Sequence, residues 1–185
     1  MRKIPNVGFM CVGESALELS GAICCAGKLM EILKGGGYSV GGCYSCMTPA
    51  LQKENIKSRL RQLCEVNDLV VTVGAEGFGK NDVIPEITES VCKRKAEYFS
   101  YCLSRADGAF SSDNGTYTDG TSALSSGKCD ALCPSRATAG FCGNTLVINL
   151  PDDPFAARKR LCAILPSIAF VINRGLEFRS AAKQR

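Results

Sequence analysis

Two segments are apolar through their middle, and they limit the fold more than any other feature of the chain. Residues 68–73 and 145–150 are rich in valine, leucine and isoleucine. Strands of this kind are typical of the centre of a parallel sheet, where both faces are covered. Predicted strands and helices alternate along the chain. The sequence therefore predicts an α/β fold, a three-layer sandwich with a mostly parallel sheet and helices on both faces.

The first third of the chain predicts two strands and two helices. Residues 7–12 and 38–46 are predicted strands. Ser20 is a candidate N-cap for the first helix, and the glycines at 35–37 are expected to end it. Thr48, with proline after it, is a candidate N-cap for the second helix. The apolar spacing predicts the buried positions Ile23, Ala26, Met30 and Leu33 in the first helix, and Ile56, Leu60, Leu63 and Cys64 in the second.

The rest of the sequence predicts two more helices, one before and one after an irregular region. One helix is expected to start near residues 82–85 and to run to Arg94 or beyond. Residues 108–128 are rich in Gly, Ser, Thr and Asp, which predicts an exposed, mobile insertion within the domain. Residues 151–154 are expected to end the last strand and cap a final helix. Its predicted buried positions are Leu161, Ile164, Leu165, Ile168 and Ile172.

Length and composition are those of one globular domain. The 185 residues are 45% hydrophobic and carry a net charge of +4, enough for a sizeable core and a mild attraction for small anions. We expect residues 1–178 to form a single domain and residues 179–185 a polar, loose tail. The basic clusters at 93–95 and 158–160 lack interleaved aromatics, which indicates solvated helix faces rather than nucleic-acid contacts. No apolar run predicts a signal peptide or a membrane span, so a soluble cytoplasmic protein is expected.

Twelve cysteines and no histidine restrict the chemistry. Without histidine there is no Ser–His or Cys–His pair, no histidine general base and no histidine metal ligand. Cys11, Cys64 and Cys162 fall at predicted core positions, as small buried apolar residues do. This usage favours a reducing compartment.

A glycine-rich loop follows the strand at 68–73. Residues 74–81 nearly match the phosphate-binding pattern G-x-x-x-x-G-K-[ST], but Asn81 stands where a hydroxyl would bind Mg²⁺. Pro85 also stands where the following helix would present backbone N–H groups. A phosphate-binding loop of that class is therefore disfavoured. The glycines still allow close approach of backbone to an anionic ligand.

Two stretches together resemble the signature of the molybdopterin-binding family. In the first, the family has a strand, then Gly-Gly-Thr-Gly, then Arg-Asp-Val-Thr-Pro-Glu. In the second, residues 135–140 and 143–151 are similar to its Ser-Arg, Ala-Gly, Gly-x-Thr-Leu and Asn-Leu-Pro-Gly series. Residues 165–168 are similar to its Phe-Pro-Ala-Ile segment, and the resemblance spans about residues 7–172. The first stretch matches at Gly74, Gly77, Asp82, Val83, Pro85 and Glu86.

The resemblance implies a function in molybdenum cofactor biosynthesis. One branch of the family transfers AMP from ATP to molybdopterin, with Mg²⁺ present and pyrophosphate released. The resemblance also implies a homo-trimer, and a molybdenum-insertion protein as a further partner. Other members bind the same pterin without this reaction, so a non-catalytic binding protein is an alternative.

Residue roles follow by resemblance, with structural roles as alternatives. Asp82 would hold Mg²⁺ or orient a phosphate, and Glu86 would support the same ion, although both carboxylates also suit a helix amino terminus. Arg136 would neutralise a phosphate or pin the loop, and Asn149 would contact ligand or make a structural hydrogen bond. The other implied ligand-binding residues are Gly74, Ala75, Glu76, Gly77, Lys80, Ser135, Pro151 and Asp152.

Several departures from the family pattern fall in the predicted pocket. Ala75 and Glu76 replace glycine and threonine, and a carboxylate at Glu76 would repel an anionic ligand unless a cation lies between them. Asn81 replaces arginine, although Lys80 is adjacent. Asp152 replaces glycine, and Gly-Glu-Ser at 13–15 replaces Ser-Asp-Arg. These changes fit an altered ligand or a lost activity as well as a divergent enzyme.

Cysteine spacing leaves a third hypothesis. Cys43 and Cys46 form a CxxC pair, and Cys129 and Cys133 form a second close pair. Brought together, the four thiolates would bind a metal ion, and a CxxC pair alone would be redox-active. Isolated structural cysteines are the preferred interpretation.

Overall fold

The two apolar segments lie side by side at the centre of a six-stranded sheet. A computed structural model describes residues 4–48, 53–108 and 136–182. In chain order the elements are β1 (Asn6–Gly13), α1 (Ala16–Gly35), β2 (Ser39–Met47), α2 (Lys53–Val66), β3 (Leu69–Val73), α3 (Ile84–Val91), β4 (Arg94–Lys95), α4 (Glu97–Gly108), β5 (Ala139–Cys142), β6 (Thr145–Leu150) and α5 (Pro154–Ala182).

The sheet is mostly parallel, which confirms the predicted fold class. Its strand order is β2-β1-β3-β6-β5-β4. Strands β2, β1, β3 and β6 run parallel, with Val73 opposite both Cys11 and Leu150. The carboxyl ends of β1, β3 and β6 therefore meet at one edge of the sheet, where α/β proteins bind ligands. The antiparallel strands β5 and β4 complete the other side.

Helices cover both faces of the sheet. Side chains alternate along each strand, so Phe9 packs with α1, α4 and α5 on one face, while Met10 packs with α2 and α3 on the other. Both side chains are fully buried. Burial of one such side chain contributes about 1.5–3 kcal/mol, so the two apolar layers stabilise the sheet from both sides.

The N-cap of helix α1 lies five residues before the predicted cap. Ser15, not Ser20, is its N-cap, and the Ser15 hydroxyl accepts the Glu18 N–H at 3.3 Å. The predicted buried face is also partly wrong, because Ile23 is 45% exposed. Small side chains let the helix approach the sheet closely. The buried positions are Ala22, Cys25, Ala26, Leu29 and Leu33.

The region after the glycine-rich loop also differs from the prediction. Helix α3 ends at Val91, before the predicted end at Arg94. Arg94 and Lys95 instead form β4, where Lys95 lies opposite Gly140 of β5. A Cβ at Gly140 would lie 2.6 Å from the Cβ of Cys92. This pairing between distant segments overrides the local helical preference, and α4 follows as a separate helix.

Helix α5 starts as predicted and continues beyond the predicted domain end. The Asp153 carboxylate accepts the Ala156 N–H at 2.7 Å, which caps its first turn. The helix passes through Pro166 to Ala182, so the start of the predicted loose tail is helical. Cys162 is exposed rather than buried, and Leu165 is only half-buried.

Some predictions concern residues outside the described part of the chain. These are the proline after Thr48, most of the insertion at 108–128, and residues 129–135. Within residues 4–48, 53–108 and 136–182, no helix combines the length and apolarity needed to cross a membrane.

The backbone at the end of β3 passes very close to that of β1. Gly74 has φ +90°, and its N–H donates to the carbonyl of Leu150 at 2.9 Å. A Cβ at this position would overlap the carbonyl oxygen of Val12. Glycine is therefore required where the chain leaves the sheet and enters the loop.

We expect Gly74→Ala to lower the free energy of unfolding by about 2 kcal/mol or more, because the new Cβ meets backbone in a left-handed conformation. Gly27→Ala is the matched control, since its Cβ would meet nothing within 4 Å on the exposed side of α1. That change should raise the free energy by about 0.5–1 kcal/mol. Urea denaturation measures the free energy of unfolding of both variants. Equal changes in the two variants would contradict the close backbone approach at Gly74.

Candidate functional site

Three loops meet beyond the carboxyl ends of β1, β3 and β6. Asn81, in the loop after β3, donates through Nδ2 to the Glu14 carboxylate in the loop after β1, at 2.6 Å. The Cys25 thiol of α1 lies 3.8 Å from the carbonyl of Pro151, in the loop after β6. The Gly74 N–H also donates to the carbonyl of Leu150, so the loop after β3 starts beside the end of β6, as the topology of a parallel sheet predicts.

Asp82 folds back beneath the glycine-rich loop. Its Oδ2 accepts the Gly79 N–H at 2.7 Å. A Cβ at Gly77 would lie 2.7 Å from the same oxygen, so glycine at this position leaves room for the carboxylate. Ala75 has φ +53°, and its carbonyl accepts the Ile84 N–H at 3.2 Å. These bonds hold the loop in one shape.

Arg136 joins the loop to α3. One guanidinium nitrogen donates to the Gly77 carbonyl at 2.6 Å and to the Asp82 carbonyl at 3.1 Å. The other is paired with the Glu86 carboxylate. A planar guanidinium suits several fixed acceptors. Two predicted site residues, Arg136 and Glu86, are therefore together, and Arg136 pins the loop. Ser135 lies outside the described residues.

Glu76 is the most altered position of the loop, and its carboxylate is paired with Arg160 of α5. Both side chains are 8% exposed. A buried carboxylate is costly unless a cation compensates it, and Arg160 supplies that cation. The charge at Glu76 is thereby turned into the protein and neutralised.

Arg160 was missed because its cluster was interpreted as a solvated helix face. The signal lay in the helical spacing. Arg160 stands three residues after Ala157 and four before Ile164, both of which are fully buried. Positions at these spacings share one face of a helix. A cation on a buried face predicts a buried anion, and Glu76 is that anion.

Asn149 occupies the core directly below the loop. It is fully buried, and its Oδ1 accepts the hydroxyls of Thr72 and Thr88, each at 3.0 Å. Its Nδ2 has no acceptor in the part of the chain that the structure describes. An unsatisfied buried donor costs about 1–3 kcal/mol. The amide therefore has a structural role through Oδ1 and retains a donor that suits an anionic ligand.

Acidic side chains surround the loops. Glu14, Asp152 and Asp153 are exposed, and exposed Lys80 is the nearest cation in sequence. Burial, with the negative charges of Asp152 and Asp153, raises the pKa of Cys25 to about 11. Cys25 therefore stays protonated at neutral pH and is unsuited to act as a nucleophile here.

The carboxylates at this site suit Mg²⁺ only if a phosphate of the ligand also coordinates the ion. Asp82 offers one carboxylate, while Glu86 is engaged by Arg136. Across residues 4–48, 53–108 and 136–182, no three His, Cys, Asp or Glu side chains cluster as metal ligands. Mg²⁺ commonly uses one or two carboxylates and completes its shell with water and substrate phosphates. Asp82 suits that mode.

The CxxC pair does not form one thiol site. Cys43 lies opposite Phe9, and Cys46 lies opposite Val12. Phe9 and Val12 belong to opposite faces of the sheet, so the two thiols also point to opposite faces. The hypothesis of a shared four-thiolate metal ion is wrong for this pair, and Cys129 and Cys133 lie outside the described residues.

Comparison with known proteins identifies the family. The family model described as a probable molybdopterin binding domain matches residues 28–169, more than half of the chain. The chain belongs to this molybdopterin-binding family. It is thus a member of the family of molybdenum cofactor biosynthesis proteins, as its two sequence stretches predicted.

A curated relative and two solved structures agree with this membership. A molybdopterin adenylyltransferase of Helicobacter pylori is 28% identical over 124 residues, which cover 66% of this chain and 60% of the relative. The match thus spans less than two thirds of the relative. A molybdopterin biosynthesis protein of Mycobacterium abscessus superposes with a TM-score of 0.71 at 20% identity, covering 97% and 99% of the chains. A molybdopterin biosynthesis enzyme of Thermus thermophilus gives a TM-score of 0.66 at 24% identity, covering 91% and 97%. These two structures show a shared fold.

Arg160→Met is expected to lower the free energy of unfolding by about 3–5 kcal/mol, because it removes the cation that a buried carboxylate binds. Arg160→Met combined with Glu76→Leu should recover most of that loss, since apolar residues often replace a buried ion pair at little cost. Arg158→Met, on the exposed side of the same helix, should change stability by less than about 0.5 kcal/mol. Urea denaturation of the four proteins measures these differences, and a double variant no more stable than Arg160→Met would contradict the pairing.

Proposed function

We propose that this protein binds molybdopterin at the carboxyl ends of β1, β3 and β6 and transfers AMP to its phosphate from Mg-ATP. The observation that carries the proposal is the buried Glu76–Arg160 pair. A carboxylate in the ligand loop would repel a phosphate, but Arg160 neutralises this one and turns it away from solvent. The loop therefore keeps the ability to take an anion despite its altered sequence.

The reaction is a nucleotidyl transfer. A phosphate oxygen of molybdopterin attacks the α-phosphorus of ATP, the bond from that phosphorus to the bridging oxygen breaks, and pyrophosphate leaves. Such transfers depend on positioning and charge neutralisation rather than on a covalent catalyst. Absence of histidine is no obstacle, because no step needs an imidazole.

Each side chain has a part in this chemistry. Asp82 would hold Mg²⁺, which would neutralise charge on the transferred and departing phosphates. Arg136 positions the loop through Gly77 and Asp82. Asn149 would donate its remaining N–H to a ligand oxygen, which compensates the buried amide. Lys80 would attract the ligand phosphates, while Glu86 supports Arg136.

The acidic surroundings favour a nucleotide that arrives with its cation. Glu14, Asp152 and Asp153 are exposed around the loops, so a bare polyphosphate would meet repulsion. Bound Mg²⁺ reduces the charge that the nucleotide presents to these carboxylates. Gly74, Ala75, Gly77, Pro151 and Asp152 then shape the walls of the site through their backbone.

The same proposal extends to the assembly. By resemblance we propose a homo-trimer of one domain, residues 1–178, that passes its product to a molybdenum-insertion protein. The ten cysteines of the described residues are free thiols, which supports a location in a reducing compartment such as the cytoplasm.

A non-catalytic, pterin-binding role is the second candidate. It is favoured by the engagement of both predicted catalytic carboxylates with protein groups. Asp82 accepts the Gly79 N–H, and Glu86 is paired with Arg136. In this role the same loop would bind molybdopterin without promoting transfer.

Pyrophosphate release from Mg-ATP and molybdopterin separates the two roles. We expect release from the natural protein and a loss of at least about 100-fold in Asp82→Asn, because the variant keeps an acceptor for Gly79 but loses the charge that holds the cation. Molybdopterin affinity, followed by ligand fluorescence, should change little.

The control is Glu89→Gln, which removes an exposed carboxylate on α3 that is paired with Lys95 rather than with the loop. It should leave release unchanged. Binding of molybdopterin without release by the natural protein would select the second candidate. No binding at all would overturn both.

A further inference from the structure

Cys11 and Cys43 form a thiol pair that the CxxC spacing does not suggest. Their sulfur atoms are 3.0 Å apart. Cys11 lies on β1 and Cys43 on the adjacent strand β2, opposite Phe9. Phe9 and Cys11 are two residues apart and share a sheet face, so Cys43 shares that face too. The two thiols are therefore held in contact by strand pairing.

The two members of the pair differ in access. Cys43 is exposed, whereas Cys11 is fully buried. Strand β2 is the edge of the sheet, so an oxidant can reach Cys43 from solvent. The two thiols share a hydrogen bond. This bond lowers the pKa of Cys43, and together with burial it raises the pKa of Cys11. The exposed thiol is thus the better nucleophile.

We propose that Cys43 is an oxidation site for hydroperoxides and that Cys11 is its resolving thiol, so that oxidation ends in a Cys11–Cys43 disulfide. The Cys43 thiolate attacks one peroxide oxygen, the O–O bond breaks, and water leaves after taking a proton. Cys11 sulfur then attacks the Cys43 sulfenic acid, the S–O bond breaks, and the hydroxide leaves with the Cys11 proton as water. Two thiols and hydrogen peroxide give one disulfide and two waters.

The thiol pair lies close to the candidate functional site. Its oxidation does not rest on the proposed function of that site. Cys11 is two residues before Gly13, where β1 leads to the loop of Glu14. Glu14 in turn accepts from Asn81 of the glycine-rich loop. The carbonyl of Gly13 also accepts the Thr48 N–H at the end of β2. A disulfide would tie β2 to β1 directly beneath these contacts.

Peptide mapping of the peroxide-treated full chain tests the pair. The reduced protein is treated with stoichiometric hydrogen peroxide, quenched in acid, alkylated and digested without reduction. Cleavage after Glu14 separates Cys11 from Cys24 and Cys25, and cleavage after Tyr44 separates Cys43 from Cys46. We expect a loss of 2 Da, about two hydrogen masses, and one linked peptide pair joining Cys11 to Cys43. A Cys43–Cys46 link, a scrambled mixture or no link would overturn the proposal.

Variants test the order of events. In Cys11→Ala, dimedone should trap sulfenic acid at Cys43, and excess peroxide should carry Cys43 on to sulfinic acid, which the natural protein resists. Cys162, also exposed, is the internal control that over-oxidises equally in both proteins. Cys46→Ser should leave the Cys11–Cys43 link unchanged. Equal over-oxidation of Cys43 in both proteins would refute a resolving role for Cys11.

Discussion

The in-register pairing of β3 with β6 is the constraint on which the rest of the structure depends. Each strand is buried along its whole length, so each needs helices on both faces. Pairing of Val73 with Leu150 brings two loops to one edge of the sheet. Gly74 then closes the arrangement by donating to Leu150 while passing against Val12. The ligand site is therefore a consequence of sheet packing before any of its side chains is considered.

Charge compensation explains how a divergent loop persists on that scaffold. Glu76, unpaired, would both cost stability through burial and repel an anion. Arg160 reduces both the cost of burial and the repulsion of an anion. Its guanidinium lies on the buried face of α5 and neutralises the Glu76 carboxylate. Arg136 acts similarly on Glu86 while holding two loop carbonyls. The two arginines use different elements, so the loop is fixed from α5 and from the segment before β5.

The predictable parts of the fold are those encoded locally. The central strands, the glycine-rich loop and the capping of α5 each follow from a short pattern. The β4–α4–β5 region was not predicted, because β4 has two residues and exists only through pairing with β5. Ser15 is followed by Glu18 three residues later, the capping-box spacing that Ser20 lacks, so the observed cap of α1 was also encoded locally. Arg160 was readable from helical spacing, but its partner lies 84 residues away.

Which cysteines lie in contact also depends on the secondary structure that carries them. A CxxC spacing brings two thiols together in a turn or a helix, but in an extended strand residues three apart face opposite sides. In β2 this separates Cys43 from Cys46, while strand pairing gives Cys43 a neighbour 32 residues earlier. The partner of a strand cysteine is thus decided by register with the adjacent strand. One residue of shift in β2 would place Cys46 rather than Cys43 on the face of Cys11, so the irregularity between Val7 and Phe9 determines which thiol meets it.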